Sequence, residues 1–339
     1  MTSHVNAFLP PQQRVIALPN TMKPRMFLLD QSFRQRWRHS YLYPAFRKTA
    51  RLYRLALRLK TALAVTSSYQ KPGLKWELGE FLQPILPNVE SVVVLLGTPG
   101  PVQKITVQLW DTDNVVGYLK FATKPLAQVR LAREHNVLSK LPDGIAPMVI
   151  SYRAFNGGMA LLTTPIAGEP VSASLDSTNE AMKYLTRLQQ MPEFPIDQHP
   201  WVVRMRNQHA ESIDGWLDAL SDRSWPLVFQ HGDFVPWNVI RDTDGRLTAI
   251  DWEYGTVIGF PKLDLAYYIL QIAALMRRWS PRQARQHAVR SLASEFTTPQ
   301  AAALVRLAAF ESYQEALADG HRLDEPLQQW RRSVWAQKA

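Results

Sequence analysis

Phe229-Gln230-His231-Gly232-Asp233-Phe234-Val235-Pro236-Trp237-Asn238, followed by Ile250-Asp251-Trp252-Glu253, decides the reading of this 339-residue chain. Asp233 and Asn238 stand five apart, and Asp251 follows thirteen residues later, at the end of an apolar run. Two carboxylates and one carboxamide at these spacings suit phosphoryl transfer from ATP. That chemistry asks a protein mainly to position groups and offset charge. A hydroxyl nucleophile needs a carboxylate that orients it and takes its proton, and Asp233 is the candidate. A triphosphate needs Mg²⁺, a hard cation that prefers oxygen ligands. Asp251 supplies a charged oxygen and Asn238 a neutral one.

The local pattern agrees. Pro226–Gln230 reads as a short buried strand, Trp237–Ile240 leads into a second, and Arg246–Ile250 reads as its return. Asp242-Thr243-Asp244-Gly245 between them is a hairpin turn signal. Folding back there lets Asn238 and Asp251 meet at one ion. Each residue alone would read as an ordinary turn or strand end; their joint spacing carries the functional reading.

The words His231-Gly232-Asp233-x-x-x-x-Asn238 and Asp251-Trp252-Glu253 parallel the protein-kinase H-R-D-x-x-x-x-N and D-F-G. With Asp264-Leu265-Ala266 they resemble the aminoglycoside phosphotransferase and choline kinase group of small-molecule kinases. The resemblance is specific from Leu227 to Tyr268, looser across residues 90 to 320, and does not cover the first eighty. It implies an α+β, two-lobed kinase-like fold, with an antiparallel N-lobe sheet plus helix, a mostly helical C-lobe and ATP between them. It also implies Asp233 as base, His231 as a brace of the catalytic loop, and Asn238 and Asp251 as Mg²⁺ ligands. Glu253 would be a supporting or substrate-side group, and Asp264 a helix cap.

Residues 90–165 read as the nucleotide lobe. Val92–Leu96, Lys104–Trp110 and Val115–Phe121 are strand-like, and a helix with Arg130, Arg133, Glu134 and Lys140 follows. Lys120 and Glu134 match the strand lysine and helix glutamate that pair in kinases, with the lysine on the α- and β-phosphates. Gly97 and Gly100 are a candidate loop over the phosphates, although they lack the G-x-G-x-x-G spacing and also suit a plain hairpin. Met159–Gly168 resembles the last strand and hinge, with backbone around Thr163, Thr164 and on to Ile166 expected at the adenine edge. Pro165 removes one donor there.

In residues 166–339, Thr178–Met191, Leu263–Arg277 and Pro299–Asp319 have helical periodicity, with Trp330 and Trp335 on a terminal helix. Glu311 and Glu315 share a face that suits a cationic substrate or plain solvation.

Hydrophobic content of 46% and charged content of 20% fit a globular chain. The absence of cysteine excludes disulfides and thiolate metal sites. No apolar run approaches a membrane span, and no continuous apolar core marks a secretion signal. ATP use argues for the cytoplasm. The net charge of +10 is uneven: residues 1–89 hold 14 Lys/Arg against Asp30, Glu77 and Glu80, and the remainder is near neutral. Those residues read as a basic, partly helical N-terminal extension. Arg47, Arg51, Arg54 and Arg58 line one helix face, beside a broad apolar arc of Leu52, Leu55, Ala56, Leu59 and Leu63 edged by Phe46 and Tyr53. Such a segment, residues 34–63, either lies peripherally on an anionic membrane or docks on the lobe with its arginines in water. Nucleic acid is the weakest partner reading, since no recognisable module is present.

The leading expectation is an ATP- and Mg²⁺-dependent phosphotransferase acting on a small-molecule hydroxyl, preferably of a sugar or sugar-containing envelope precursor. Amino-alcohol or aminoglycoside kinases and a low-turnover nucleotide-binding scaffold are the alternatives. A protein kinase fits less well, because Gly232 replaces the arginine and no A-P-E follows.

Overall fold

The computed structural model describes residues 2–43, 45, 48–65, 68–71, 73 and 75–336. The chain divides into two compact units, Met1–Leu131 with Met148–Pro165, and Ala132–Pro147 with Ile166–Ala339.

The first unit is built on an eight-stranded sheet. Its strands are β1 (Arg14–Leu18), β2 (Met26–Leu29), β3 (Ser68–Gln70), β4 (Ser91–Leu96), β5 (Ile105–Trp110), β6 (Val115–Ala122), β7 (Val149–Phe155) and β8 (Gly158–Thr163). They lie in the order β3-β1-β2-β4-β5-β6-β8-β7, every neighbouring pair antiparallel. Successive side chains on a strand point to opposite faces. Val92 and Val94 enter one core, with Phe121 and Phe155, while Val93 enters another, with Ile16, Leu28 and Trp110. Both faces are therefore covered, which explains the unbroken apolar run of β4.

The helices of this region are α1 (Thr2–Phe8), α2 (Phe33–His39), α3 (Lys48–Ala62) and α4 (Glu77–Leu82). Val5 and Phe8 of α1 and Leu78 and Leu82 of α4 fill the first core, and Leu57 of α3 enters the second. The region read from its charge as a basic, partly helical N-terminal extension, residues 1–89, supplies three strands of the sheet and side chains to the cores on both its faces. The short apolar runs Arg14–Leu18 and Met26–Leu29 carried that information, outweighed by the surrounding basic residues. Arg54 and Arg58 turn onto the rings of Tyr41 and Trp37, not outward into water. Arg47 and Phe46 lie outside the described residues.

Helix α5 (Pro125–Leu138) begins in the first unit and ends in the second. The second unit adds β9 (Glu169–Pro170), α6 (Thr178–Thr186), β10 (Gln189–Pro195), α7 (Pro200–Leu217), β11 (Ser224–Gln230), β12 (Val239–Arg241), β13 (Leu247–Ala249) and β14 (Thr256–Gly259). Its remaining helices are α8 (Leu263–Gln271), which continues as a π-helical segment Ile272–Arg277, then α9 (Pro281–Leu292), α10 (Thr298–Ala318) and α11 (Pro326–Ala336). Helix α10 packs against α7, α8, α9 and α11. Two small sheets, β10-β11-β14 and β13-β12-β9, carry the loops described below. The mixed class expected from the sequence, α+β with an antiparallel N-terminal sheet and a helical C-terminal part, is the one observed.

The helix expected over Thr178–Met191 stops at Thr186, and residues from Gln189 pair with β11. The Leu188 carbonyl accepts the Phe229 N–H at 2.9 Å and Gln189 lies opposite Val228, so the chain is already committed to the sheet. Helices α2, α9 and α10 start with one device: Ser32, Ser280 or Thr297 accepts the N–H three residues on, and Gln35, Gln283 or Gln300 reaches back.

Phe8 is fully buried, with its ring 5.2 Å from Phe121 and 5.6 Å from Phe155. Phe8→Ala should cost about 3–5 kcal/mol in urea unfolding, as a core deletion does. A change near zero would return residues 1–89 to the status of an appendage.

Candidate active site

The second unit brings the motif residues together by a register. Strands β12 and β13 pair Val239 with Ala249, and the Ile250 N–H donates to Asn238 O at 2.8 Å. Asn238 therefore faces Ile250 across the open end of the hairpin, and Asp251 is the next residue. The thirteen-residue spacing is the two ladder strands plus the turn closed by the Asp242 N–H on Arg246 O and the Gly245 N–H on Asp242 O. Asp251 adopts φ 69°, a left-handed conformation that aspartate tolerates better than most side chains.

The loop before β12 is held from below. Asp264, buried near the start of α8, accepts the His231 N–H at 2.6 Å and the Gly232 N–H at 2.9 Å. It does not cap its own helix as expected; the residue before α8, Lys262, makes no side-chain cap. Burial pushes the Asp264 carboxyl up to about 7, against the pull of its two N–H partners. His231 is fully buried beside Trp252, 4.6 Å between centroids. Its Nε2 donates to Ile250 O at 2.9 Å and its Nδ1 accepts the Asp233 N–H at 3.2 Å. The imidazole joins the loop to the strand that delivers Asp251, and both its nitrogens are engaged in that task.

Both oxygens of Asp233 have partners: Oδ1 accepts from the Tyr267 hydroxyl at 2.7 Å and Oδ2 from Asn238 Nδ2 at 3.0 Å. Desolvation raises the Asp233 carboxyl to about 6, and the Asp251 charge adds to that; Tyr267, Arg331 and Asn238 oppose it. Asp233, Asn238 and Asp251 thus share one electrostatic neighbourhood. Asn238 and Asp251 offer the hard oxygen donors that Mg²⁺ takes, and Mg²⁺ needs only one or two such groups beside phosphate and water. Among the described residues no group of three or more His, Cys, Asp or Glu is arranged to hold a metal. Glu253, two residues past Asp251, is half-buried next to the turn in which the Gly255 N–H meets Trp252 O.

Tyr267 and Arg331 escaped the sequence reading. Tyr267 had a signal: it lies three residues after Asp264, hence on the same helix face. Arg331 has none, since nothing in the sequence around it links the last helix to the loop at Asp233. Glu311 and Glu315 are not a solvated pair. Glu311 accepts from Trp201 Nε1 and Gln230 Nε2, and Glu315 pairs with Arg133 at 3.0 Å.

The other expected site residues belong to both units. Glu134 is buried in the second unit, where its Oε1 accepts the Trp252 N–H at 3.2 Å and so holds the Asp251 segment. Lys120 belongs to the first unit, on β6 opposite Thr106 and Leu161. Thr163 pairs with Tyr118 and Val149 in the sheet, and the Thr164 N–H donates to Met148 O. Gly97 and Gly100 lie in the β4–β5 connection; a Cβ on Gly97 would meet Lys104 O at 2.8 Å, whereas Gly100 faces open space.

A sequence profile described as the phosphotransferase enzyme family matches residues 105–305, more than half of the chain. The chain belongs to this family. No curated protein matches the phosphotransferase in sequence. Its fold is similar to that of the bifunctional kinase-methyltransferase WbdD at 15% identity and a TM-score of 0.31, covering 68% of this chain and 47% of that one. It is similar to macrolide 2'-phosphotransferase MphH from Brachybacterium faecium at 14% identity and 0.42, covering 72% and 91%. Macrolide 2'-phosphotransferase type I aligns at 16% and 0.43, covering 78% and 97%. The phosphotransferase therefore spans about half the length of WbdD.

Gly232 has φ 77°, and a Cβ there would meet Tyr254 O at 2.5 Å. Gly232→Ala should displace the loop and lower turnover about 100-fold while the thermal melt stays cooperative; unaltered turnover would refute the clamped-loop account. Asp264 binds its proton more tightly folded than unfolded. Its contribution is present below 3.8 and is lost as pH rises through about 7. Asp264→Asn should flatten the fall of the urea midpoint with pH across that window, and an unchanged slope would contradict the assignment.

Proposed function

We propose that this phosphotransferase transfers the γ-phosphoryl group of ATP, with Mg²⁺, to a hydroxyl of a small molecule, preferentially a sugar or sugar-containing envelope precursor. The observation that carries the reading is the meeting of Asp233, Asn238 and Asp251 at the open end of one hairpin.

In this reading Asp233 accepts the proton of the acceptor hydroxyl as its oxygen bonds to the γ-phosphorus and the bond to the β,γ-bridging oxygen breaks, leaving ADP. Tyr267 and Asn238 orient the Asp233 carboxylate, which is half the task of a general base. Asn238 and Asp251 would hold Mg²⁺, which when bound offsets charge on the transferring phosphate. His231 and Asp264 keep the loop in place. Lys120 would meet the α- and β-phosphates and Glu134 would support that end, roles that rest on the family resemblance. The segment at Thr163 and Thr164 would meet the adenine, and Gly97 and Gly100 would lie over the phosphates. ATP supply favours the cytoplasm.

Two features support a polyhydroxyl acceptor over a polycation. Glu311 and Glu315 each have an arginine beside them, Arg204 at 3.8 Å and Arg133 at 3.0 Å, which offsets part of their negative charge. A small pocket beside the loop is lined by Gln230, Tyr254, Tyr267 and Ser312 together with Asp264, Glu311 and Glu315, and its amide and hydroxyl groups suit hydrogen bonds with hydroxyls.

The test is ATP consumption against panels of sugars, amino alcohols and aminoglycosides, with the unaltered chain and Asp233→Ala. A sugar-dependent rate should fall about 100- to 10,000-fold in Asp233→Ala with nucleotide binding retained. Equal rates in the two proteins would remove Asp233 from the chemistry. A cellular role that survives the substitution would favour the scaffold reading.

A further inference from the structure

Helix α3 presents its leucines to water. Leu52 is 68% exposed, Leu55 45%, Leu59 47% and Leu63, just past its end, 64%. At 100° per residue these four fall within one narrow arc. Burial of α3 comes from a different arc, carried by Leu57, Thr61 and Ala62. The arginines that would accompany the leucines in a simple surface helix are used elsewhere. Arg58 lies 4.0 Å over the Trp37 ring and donates to Trp37 O at 3.2 and 3.0 Å. Arg54 lies 4.3 Å over the Tyr41 ring. These contacts fix the rotation of α3 about its own axis, and that rotation puts the leucines outside. Arg51 and Lys60, both exposed, fall on the two edges of the stripe.

We propose that α3 docks this stripe on an anionic lipid surface, lying in the plane of the bilayer with Leu52, Leu55, Leu59 and Leu63 among the acyl chains and Arg51 and Lys60 at the headgroups. Charge selects this occupant. Residues 1–89 carry 14 basic and three acidic residues, and one of the acids, Asp30, is already paired with Arg36 at 3.0 Å. A second copy of the chain would bring the same basic edges against each other, because a two-fold interface pairs a patch with itself. An anionic bilayer meets the leucines with hydrocarbon and the flanks with opposite charge. No described helix is long and apolar enough to cross a membrane, so the contact is one of surface adsorption. The inference stands independently of the acceptor and of the role of Asp233.

The experiment is co-sedimentation of the full chain with vesicles of phosphatidylcholine alone and of phosphatidylcholine with phosphatidylglycerol. Binding should require phosphatidylglycerol and weaken about ten-fold or more on raising the salt from 0.1 to about 0.5 M. The double variant Leu52→Gln/Leu59→Gln changes only exposed side chains; it should keep the thermal melt and lose about ten-fold or more of the binding. Equal sedimentation by the two proteins, or equal binding to the two vesicle types, overturns the proposal. So does a dimer in light scattering that the double variant converts to monomer, which would assign the stripe to a second copy.

Discussion

The two hydrogen bonds that buried Asp264 accepts from the backbone of His231 and Gly232 are the constraint on which the candidate site rests. A loop that must present a carboxylate in a fixed direction cannot rely on its own dihedrals. Here the first turn of α8 supplies an acceptor for two successive N–H groups that would otherwise be buried without partners. Gly232 permits the left-handed turn that aims both at one carboxylate. One helical turn further along the same face, Tyr267 reaches the side chain of Asp233. Helix α8 therefore sets both the backbone and the side chain of the loop, and this explains why it is buried along its whole length.

The second half of the site depends on a different kind of order. Asn238 and Asp251 are neighbours because β12 and β13 pair in one register. A slip by one residue would turn Asp251 to the other side of the ribbon. His231, through Ile250 O, and Glu134, through the Trp252 N–H, each attach this ribbon to a different part of the unit. These groups touch no phosphate in the proposed reaction, yet they determine where the oxygen donors stand.

How much of this was legible in the sequence depends on range. The hairpin, its turn and the order Asp233, Asn238, Asp251 were readable because each is set by residues within about twenty positions. Tyr267 was readable in principle from helical spacing. Arg331 was not, since its proximity to Asp233 follows from the packing of α11 on α10. The place of the first 89 residues in the sheet is not legible for a related reason. One of their strands, β2, pairs with β4, more than sixty residues away along the chain, and nothing local announces such a partner. The helix expected through Met191 shows the same limit. It ends at Thr186, and the residues from Gln189 pair with β11, a strand far along the chain that the local apolar stripe does not announce.

The starts of α2, α9 and α10 carry a consequence for how the chain would respond to acid. Each uses glutamine, not glutamate, as the residue that reaches back to the cap, and none has a carboxylate in its first turn. An amide keeps its hydrogen-bonding capacity at any pH at which the protein exists. Protonation leaves these helix starts untouched and falls on the buried carboxylates around α8. Mild acidification is thus sensed at the loop and its clamp, while the starts of α2, α9 and α10 do not titrate.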